Sequence, residues 1–164
     1  MDKYTLIKQC QQGDLESFSE LYRLYSPNAL GTAYLIAGRK GLAEDILQEA
    51  FIQCFKNIKK LNHPVTFDAW FYRILVRTGQ KMVSKFGNTV CVEDIGGENP
   101  DVKENETYYT NFDTYENRLD VNEALNKLST QLKTVIVLYY YNEMTIKQIA
   151  KVLGCFEGTE IKAS

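Results

Sequence analysis

Between Glu44 and Leu61 the apolar side chains Leu47, Phe51, Cys54, Ile58 and Leu61 return at alternating spacings of four and three. Ile46, Ala50 and Phe55 stand beside them. A strand would show period two, so this repeat predicts one amphipathic helix over 44–61, with its apolar stripe against a core. The opposite face carries Asp45, Gln48, Glu49, Gln53, Lys56 and Lys60, with Ile52 set among the carboxylates. A single apolar residue on a polar face is ordinary. One apolar anchor inside a polar rim is also the pattern of a docking face.

Helices of this kind, with only three prolines and ten glycines in 164 residues, point to an all-α chain. No apolar run approaches the roughly 18 residues that span a membrane, and the polar N-terminus lacks a signal-peptide core. The expectation is a cytoplasmic protein with no membrane insertion. Cys10, Cys54, Cys91 and Cys155 are scattered and His63 is the one histidine. Structural metal sites need closely spaced ligands, so neither metal nor cofactor is expected, and the cysteines read as free thiols, two of them in the core. The net charge of −2 divides unevenly. Residues 1–86 hold 12 basic and 8 acidic side chains, residues 87–117 hold one lysine against eight carboxylates, and residues 118–164 hold 6 basic and 5 acidic. Two mildly basic bodies joined by an acidic strap suggest a charged partner.

In chain order, residues 3–10 form a short helix ending near Gly13, and Asp14 caps the next. Phe18, Leu21, Tyr22 and Tyr25 give that second helix an inward stripe, which Pro27 terminates or kinks. A small-residue helix follows over 28–37, and Gly38 and Gly41 bracket a turn. The helix of 44–61 then has its acids first and its lysines last, which suits the helix dipole. It stops at Asn62-His63-Pro64. Thr66 or Asp68 caps a helix over 67–85 with Phe71, Tyr72, Leu75, Val76, Met82 and Val83 inward. Gly79 leaves room for a bend. Arg73, Arg77, Lys81 and Lys85 recur every four residues, with Trp70 and Ile74 in the same arc. Such a stripe is commonly just a solvated face, and a lone Trp is commonly buried. Following Lys56, Lys59 and Lys60, however, it favours nucleic acid: cations neutralise phosphates and aromatic faces stack on unpaired bases.

Periodicity vanishes over 87–117, where Gly96-Gly97 and Asn99-Pro100 mark a flexible linker made stickier by Tyr108, Tyr109, Phe112 and Tyr115. Helices return through Leu119 to Leu128, break at Ser129-Thr130, and run on from Leu132 to Tyr141. Thr145 caps a third, ending at Gly154. Ala150 followed by Gly154 is the spacing of a helix-turn-helix, where the small residue admits the second helix and the glycine makes the turn.

Together these segments resemble bacterial RNA polymerase sigma factors of the extracytoplasmic-function type. The likeness rests on Gln12 to Tyr22, Ala43 to Phe51, Phe67-Asp-Ala-Trp-Phe-Tyr-Arg-Ile74, and Leu125 to Gly154 with Glu157-Gly158-Thr159. The resemblance implies two small helical domains, residues 1–86 and 118–164, joined by a flexible linker over 87–117. It implies that Asp45, Gln48, Glu49, Ile52 and Lys56 dock on the β′ clamp helices of core RNA polymerase. Lys59, Lys60, Asn62 and His63 in the loop, with Trp70, Arg73, Arg77, Lys81 and Lys85, would open the minus-ten promoter element and hold its unpaired strand. Thr159 and Lys162 would belong to the helix that reads the minus-thirty-five element. An anti-sigma factor is a further partner the resemblance implies. The C-terminus departs from the pattern: Glu160 falls at an inward position, and Ser164 follows about one turn into the recognition helix. An incomplete helix-turn-helix with weakened minus-thirty-five recognition is therefore expected.

Competing readings are a plain helix-turn-helix regulator and a degenerate sigma-like protein that binds polymerase or an anti-sigma factor. An enzyme would have to enlist Glu44, Glu49 or Asp68, without a Glu-x-x-His repeat or a nucleophile motif. The chain is expected not to be an enzyme.

Overall fold

The computed structural model describes residues 1–86 and 115–154, with side chains of 115–120 left aside. It contains α1 (Lys3–Gln11), α2 (Leu15–Ala37), α3 (Lys40–Asn57), α4 (Phe67–Phe86), α5 (Tyr115–Asn126), α6 (Thr130–Ile136) and α7 (Ile146–Leu153). Two 3₁₀ turns, Ile58–Lys60 and Pro64–Thr66, join α3 to α4, and a π-helical segment, Val137–Tyr141, extends α6. Among the described residues there is no strand.

Local chemistry explains most boundaries. Asp14 caps α2, accepting from the Glu16 amide at 3.2 Å and the Ser17 hydroxyl at 2.5 Å. Gly38 ends the helix in the left-handed region at φ 75°, where a side chain would be strained. Pro27 does not break α2, which runs unbroken over 23 residues. Pro27 is exposed, as is Arg23 one turn earlier. The carbonyl that loses its intrahelical donor thus lies on a wet face, where water serves it. α3 starts at Lys40, so Glu44 and Asp45 lie beyond its first turn, and the expected acid-first order is weaker than it looked. Ser129 caps α6, and Thr145 and Gln148 form a reciprocal capping box on α7.

The expected stripe is buried at Leu47, Phe51 and Cys54 on α3 and at Ile58 and Leu61 just beyond it, since α3 ends at Asn57 rather than running to Leu61. Phe55 and Tyr22, both expected inside, are 50% and 43% exposed. On α4, Phe71, Tyr72, Leu75 and Val76 are buried, while Met82 and Val83 are half-buried against the same core. That core joins α1, α2, α3 and α4, and also takes in Leu138, Ile149 and Val152 from the C-terminal half. Cys10 and Cys54 are buried free thiols; Cys91 and Cys155 lie outside the described residues.

Gly79 does not break α4. It is buried within an unbroken α4, and a Cβ there would meet Ile36 Cγ2 at 3.7 Å and Ile46 Cδ1 at 3.8 Å. Those are ordinary van der Waals distances, so a methyl group fits. Gly79→Ala is expected to stabilise the fold by about 0.5–1 kcal/mol through helix propensity. The readout is a urea midpoint that rises at unchanged slope; a lower midpoint would show that α2 and α3 sit closer than described.

Candidate docking groove and nucleic-acid interface

α2 and α3 pack with a gap along one edge. Phe18, Tyr22, Ser26 and Leu30 on α2 recur at every fourth position and face Leu47, Phe51, Ile52 and Phe55 on α3, enclosing a groove of about 670 Å³. Aromatic rings shape its floor: Phe18 meets Phe55 edge-on at 5.0 Å, and Tyr22 lies 4.6 Å from Phe51. Glu44, Gln48 and Lys56 supply a polar rim. Ile52 is 40% exposed. Of the expected docking residues, Gln48, Ile52 and Lys56 line this groove. Asp45 is exposed but outside the lining, and Glu49 accepts a hydrogen bond from Gln53 Nε2 at 2.9 Å. Sequence spacing assigns Phe18, Tyr22 and Phe55 to the core, because a groove between two helices leaves no trace in either helix's own period.

The loop between α3 and α4 is fastened from beneath. Ile58 and Leu61 are buried, which turns Lys59, Lys60, Asn62 and His63 outward. Gln11 Nε2 donates to the carbonyls of Ile58 (3.0 Å) and Leu61 (2.7 Å), tying the loop to α1. The Thr66 hydroxyl and amide both donate to the His63 carbonyl, at 2.7 and 2.9 Å. Asp68 then anchors the start of α4, accepting from Lys3 Nζ and from the Tyr25 hydroxyl. Burial, aided by the Asp68 carboxylate, pushes the Tyr25 hydroxyl well above its usual pKa, so Tyr25 stays a donor. Gln11, Lys3 and Tyr25 carried no sequence signal for this role, since each acts on a partner more than 40 residues away.

Trp70 is half-buried, its ring 5.8 Å from Phe67. Arg77, Lys81 and Lys85 are exposed, with Lys85 Nζ 5.3 Å from the Phe86 ring centre. Arg73 is half-buried, and its Nε is shielded without a hydrogen-bond partner among the described residues. The structure thus brings Lys59, Lys60, Asn62, His63 and the α4 stripe onto neighbouring elements. Thr159 and Lys162 lie outside the described residues. Among those residues, no group of three or more His, Cys, Asp or Glu side chains could hold a metal ion, and no helix is long and apolar enough to cross a membrane.

Comparison with known proteins follows the same division of the chain. Residues 21–85 match the family model for sigma-70 region 2, and residues 118–159 match that for sigma-70 region 4. The chain is 28% identical to the ECF RNA polymerase sigma-E factor of Haemophilus influenzae, covering 94% of this chain and 85% of that protein. It is 27% identical to the ECF RNA polymerase sigma factor SigW of Bacillus subtilis, covering 93% and 86%. The solved structure of CnrH in complex with the cytosolic domain of CnrY matches with a TM-score of 0.68 at 20% identity. That match covers 96% of this chain and 86% of the matched chain, and it bears on the fold.

Proposed function

Because this chain belongs to the sigma-70 family of RNA polymerase initiation factors, of the extracytoplasmic-function type, it directs promoter-dependent transcription initiation, and we propose that its α2–α3 groove seats the clamp helices of the polymerase β′ subunit. The family binds core polymerase and promoter DNA and is not itself catalytic. The observation that carries the docking assignment is Ile52, an exposed apolar side chain at the mouth of an apolar groove with charged residues around it. An inserted helix would bury Ile52, Phe55 and Tyr22 together, an anchored core inside a polar rim.

The α3–α4 loop and the stripe of α4 are the proposed minus-ten surface. Lys59 and Lys60 meet phosphates there, and the fastened loop offers Asn62 and His63 to unpaired bases. Sequence choice would come from that loop and affinity from the cations.

The test is core polymerase reconstituted with the full chain and assayed for binding and run-off transcription. Ile52→Lys places a charge on the groove's anchor and is expected to weaken polymerase binding about tenfold or more, roughly 1.4 kcal/mol at least. The helical circular dichroism should be unchanged, because Ile52 is exposed in the free chain. Wild-type affinity in that variant would remove the groove as the polymerase seat.

A further inference from the structure

One side-chain amide on α1 sits under the loop that carries Asn62 and His63. α1 is seated by Leu6, Ile7 and Cys10, all buried, and Gln11 follows the fully buried Ile7 by four residues. Residues four apart share a helix face, so the packing of Ile7 also sets the direction of Gln11. Its Nε2 donates to the Ile58 carbonyl at 3.0 Å and to the Leu61 carbonyl at 2.7 Å. Both partners are acceptors, so only the NH2 end of the amide can face them. The two protons of one planar group are thereby used together. The Ile58 carbonyl also receives the Leu61 amide at 3.2 Å, so the turn and the tie share an acceptor.

The Leu61 carbonyl belongs to the same rigid peptide unit as the Asn62 amide nitrogen. Gln11 therefore sets the attitude of the peptide from which Asn62 departs. On the far side, the His63 carbonyl shares its peptide unit with Pro64 and is held by the Thr66 amide at 2.9 Å and hydroxyl at 2.7 Å. Asn62 and His63, both exposed, stand between two pinned peptide planes. The second pin is made within the loop; the first comes from α1. At the other end of α1, Lys3 pairs with Asp68 in the first turn of α4. Lys3 and Gln11 lie about 12 Å apart along the helix, so α1 braces the span from the end of α3 to the start of α4. It lies before residues 21–85, the stretch that matches sigma-70 region 2.

We infer that Gln11 is the positioning residue for base choice at the minus-ten element: by fixing the Leu61–Asn62 peptide it decides which unpaired base Asn62 and His63 accept. The inference rests on the reading of the α3–α4 loop as the minus-ten surface. Lys59 and Lys60 are exposed cations, and their hold on phosphates tolerates small changes in the loop because charge attraction falls off slowly with distance. A hydrogen bond to a base edge weakens steeply once its angle is lost. Loss of Gln11 blurs the reading and leaves the grip.

The test uses core polymerase reconstituted with the full chain and a pool of barcoded linear templates, randomised over the promoter and scored by sequencing the run-off transcripts. Base preference is the ratio of transcript yield between the best and the worst base at each minus-ten position. Gln11→Met keeps the length and helix propensity of the side chain and removes the donor. Gln11→Asn keeps the amide but is one methylene too short to reach both carbonyls. Each is expected to flatten the preference at one or two minus-ten positions about fivefold or more, within the discrimination typical of one base contact. Polymerase binding, and affinity for a fluorescein-labelled single-stranded oligonucleotide of randomised sequence, should stay within about twofold, because the phosphate contacts are untouched. Asn62→Ala combined with His63→Ala should flatten the same positions, and adding Gln11→Met to that pair should flatten them no further. Unchanged preference in both Gln11 variants beside a flattened double variant leaves the loop reading standing and overturns the role of Gln11. A yield that falls alike on all templates, with the preference intact, overturns it too, since that is the mark of a merely structural tie. Wild-type preference in the double variant removes the loop as the minus-ten reader, and the inference with it.

Discussion

Replacing Phe71 with Ala is expected to destabilise the chain by about 3–5 kcal/mol, the range for deleting a fully buried aromatic ring. Phe71 has no exposed surface and stands where three helices meet. Its ring lies 4.9 Å from Phe51 on α3, 5.6 Å from Tyr25 on α2, and 5.8 Å from Phe67 and 5.6 Å from Tyr72 on its own helix. Four large rings cannot collapse together to fill the space, so the cavity term adds to the lost transfer energy. With only about 5–15 kcal/mol available to a domain, that loss removes much of the total. The consequence is also functional, since Phe51 floors the docking groove and Phe67 supports Trp70. Urea unfolding followed by Trp70 fluorescence measures the change. A loss below about 1 kcal/mol would mean that these rings are not packed as described.

Raising the pH from 9 to 11 under reducing conditions is expected to remove several kcal/mol of stability. Burial pushes the Cys10 thiol up to about 11, with Asp14 adding to it, and burial pushes the Cys54 thiol up to about 12, with Cys10 adding to it. Both start from 9.0. Below pH 9 the thiols are neutral in folded and unfolded chain alike, and their contribution is fully present. Above it the unfolded chain loses protons that the folded chain keeps, and stability falls by about 1.4 kcal/mol per pH unit for each thiol until the folded pKa is passed. Tyr25 and Tyr72, raised chiefly by burial, steepen the fall above pH 10. Lys133 opposes it: burial lowers its pKa, so the folded chain releases that proton first and gains stability as pH approaches the free-lysine value. One group does not offset four. Urea midpoints from pH 8 to 11 test the sum, and Cys54→Ala should roughly halve the slope between pH 9 and 10. A flat profile would mean that water reaches both sulfurs.

Elements defined by their own neighbours were legible from the chain. Leu47, Phe51 and Cys54 form a stripe because one helix fixes their angles, with Ile58 and Leu61 continuing it past the end of α3 at Asn57, and Asp14, Thr145 and Gly154 mark ends because caps act within a few residues. Features that need a second element were not. Tyr22 and Phe55 ride the edges of their stripes, and only the separation of α2 and α3 decides that they floor a groove. Pro27 was overrated as a breaker, because its effect depends on which face loses the donor. Gly79 suggested a bend, yet α4 runs unbroken through it and has room there for a methyl group. Arg73 stands in a stripe that favours nucleic acid, and nothing near it in sequence announces Gly154 81 positions later.

The unbroken course of α2 past Pro27 imposes a constraint of phase. Phe18, Tyr22, Ser26 and Leu30 look into the groove, and the next residues, Gly31 and Thr32, meet Tyr141 and Asn142 of the C-terminal half. Both faces are cut on one shaft, and each residue along it turns the helix by about 100° and advances it 1.5 Å. One residue inserted between Leu30 and Gly31 would leave every side chain of both sites present and turn one site out of line with the other. What α2 must preserve is therefore a count of residues as much as their kinds.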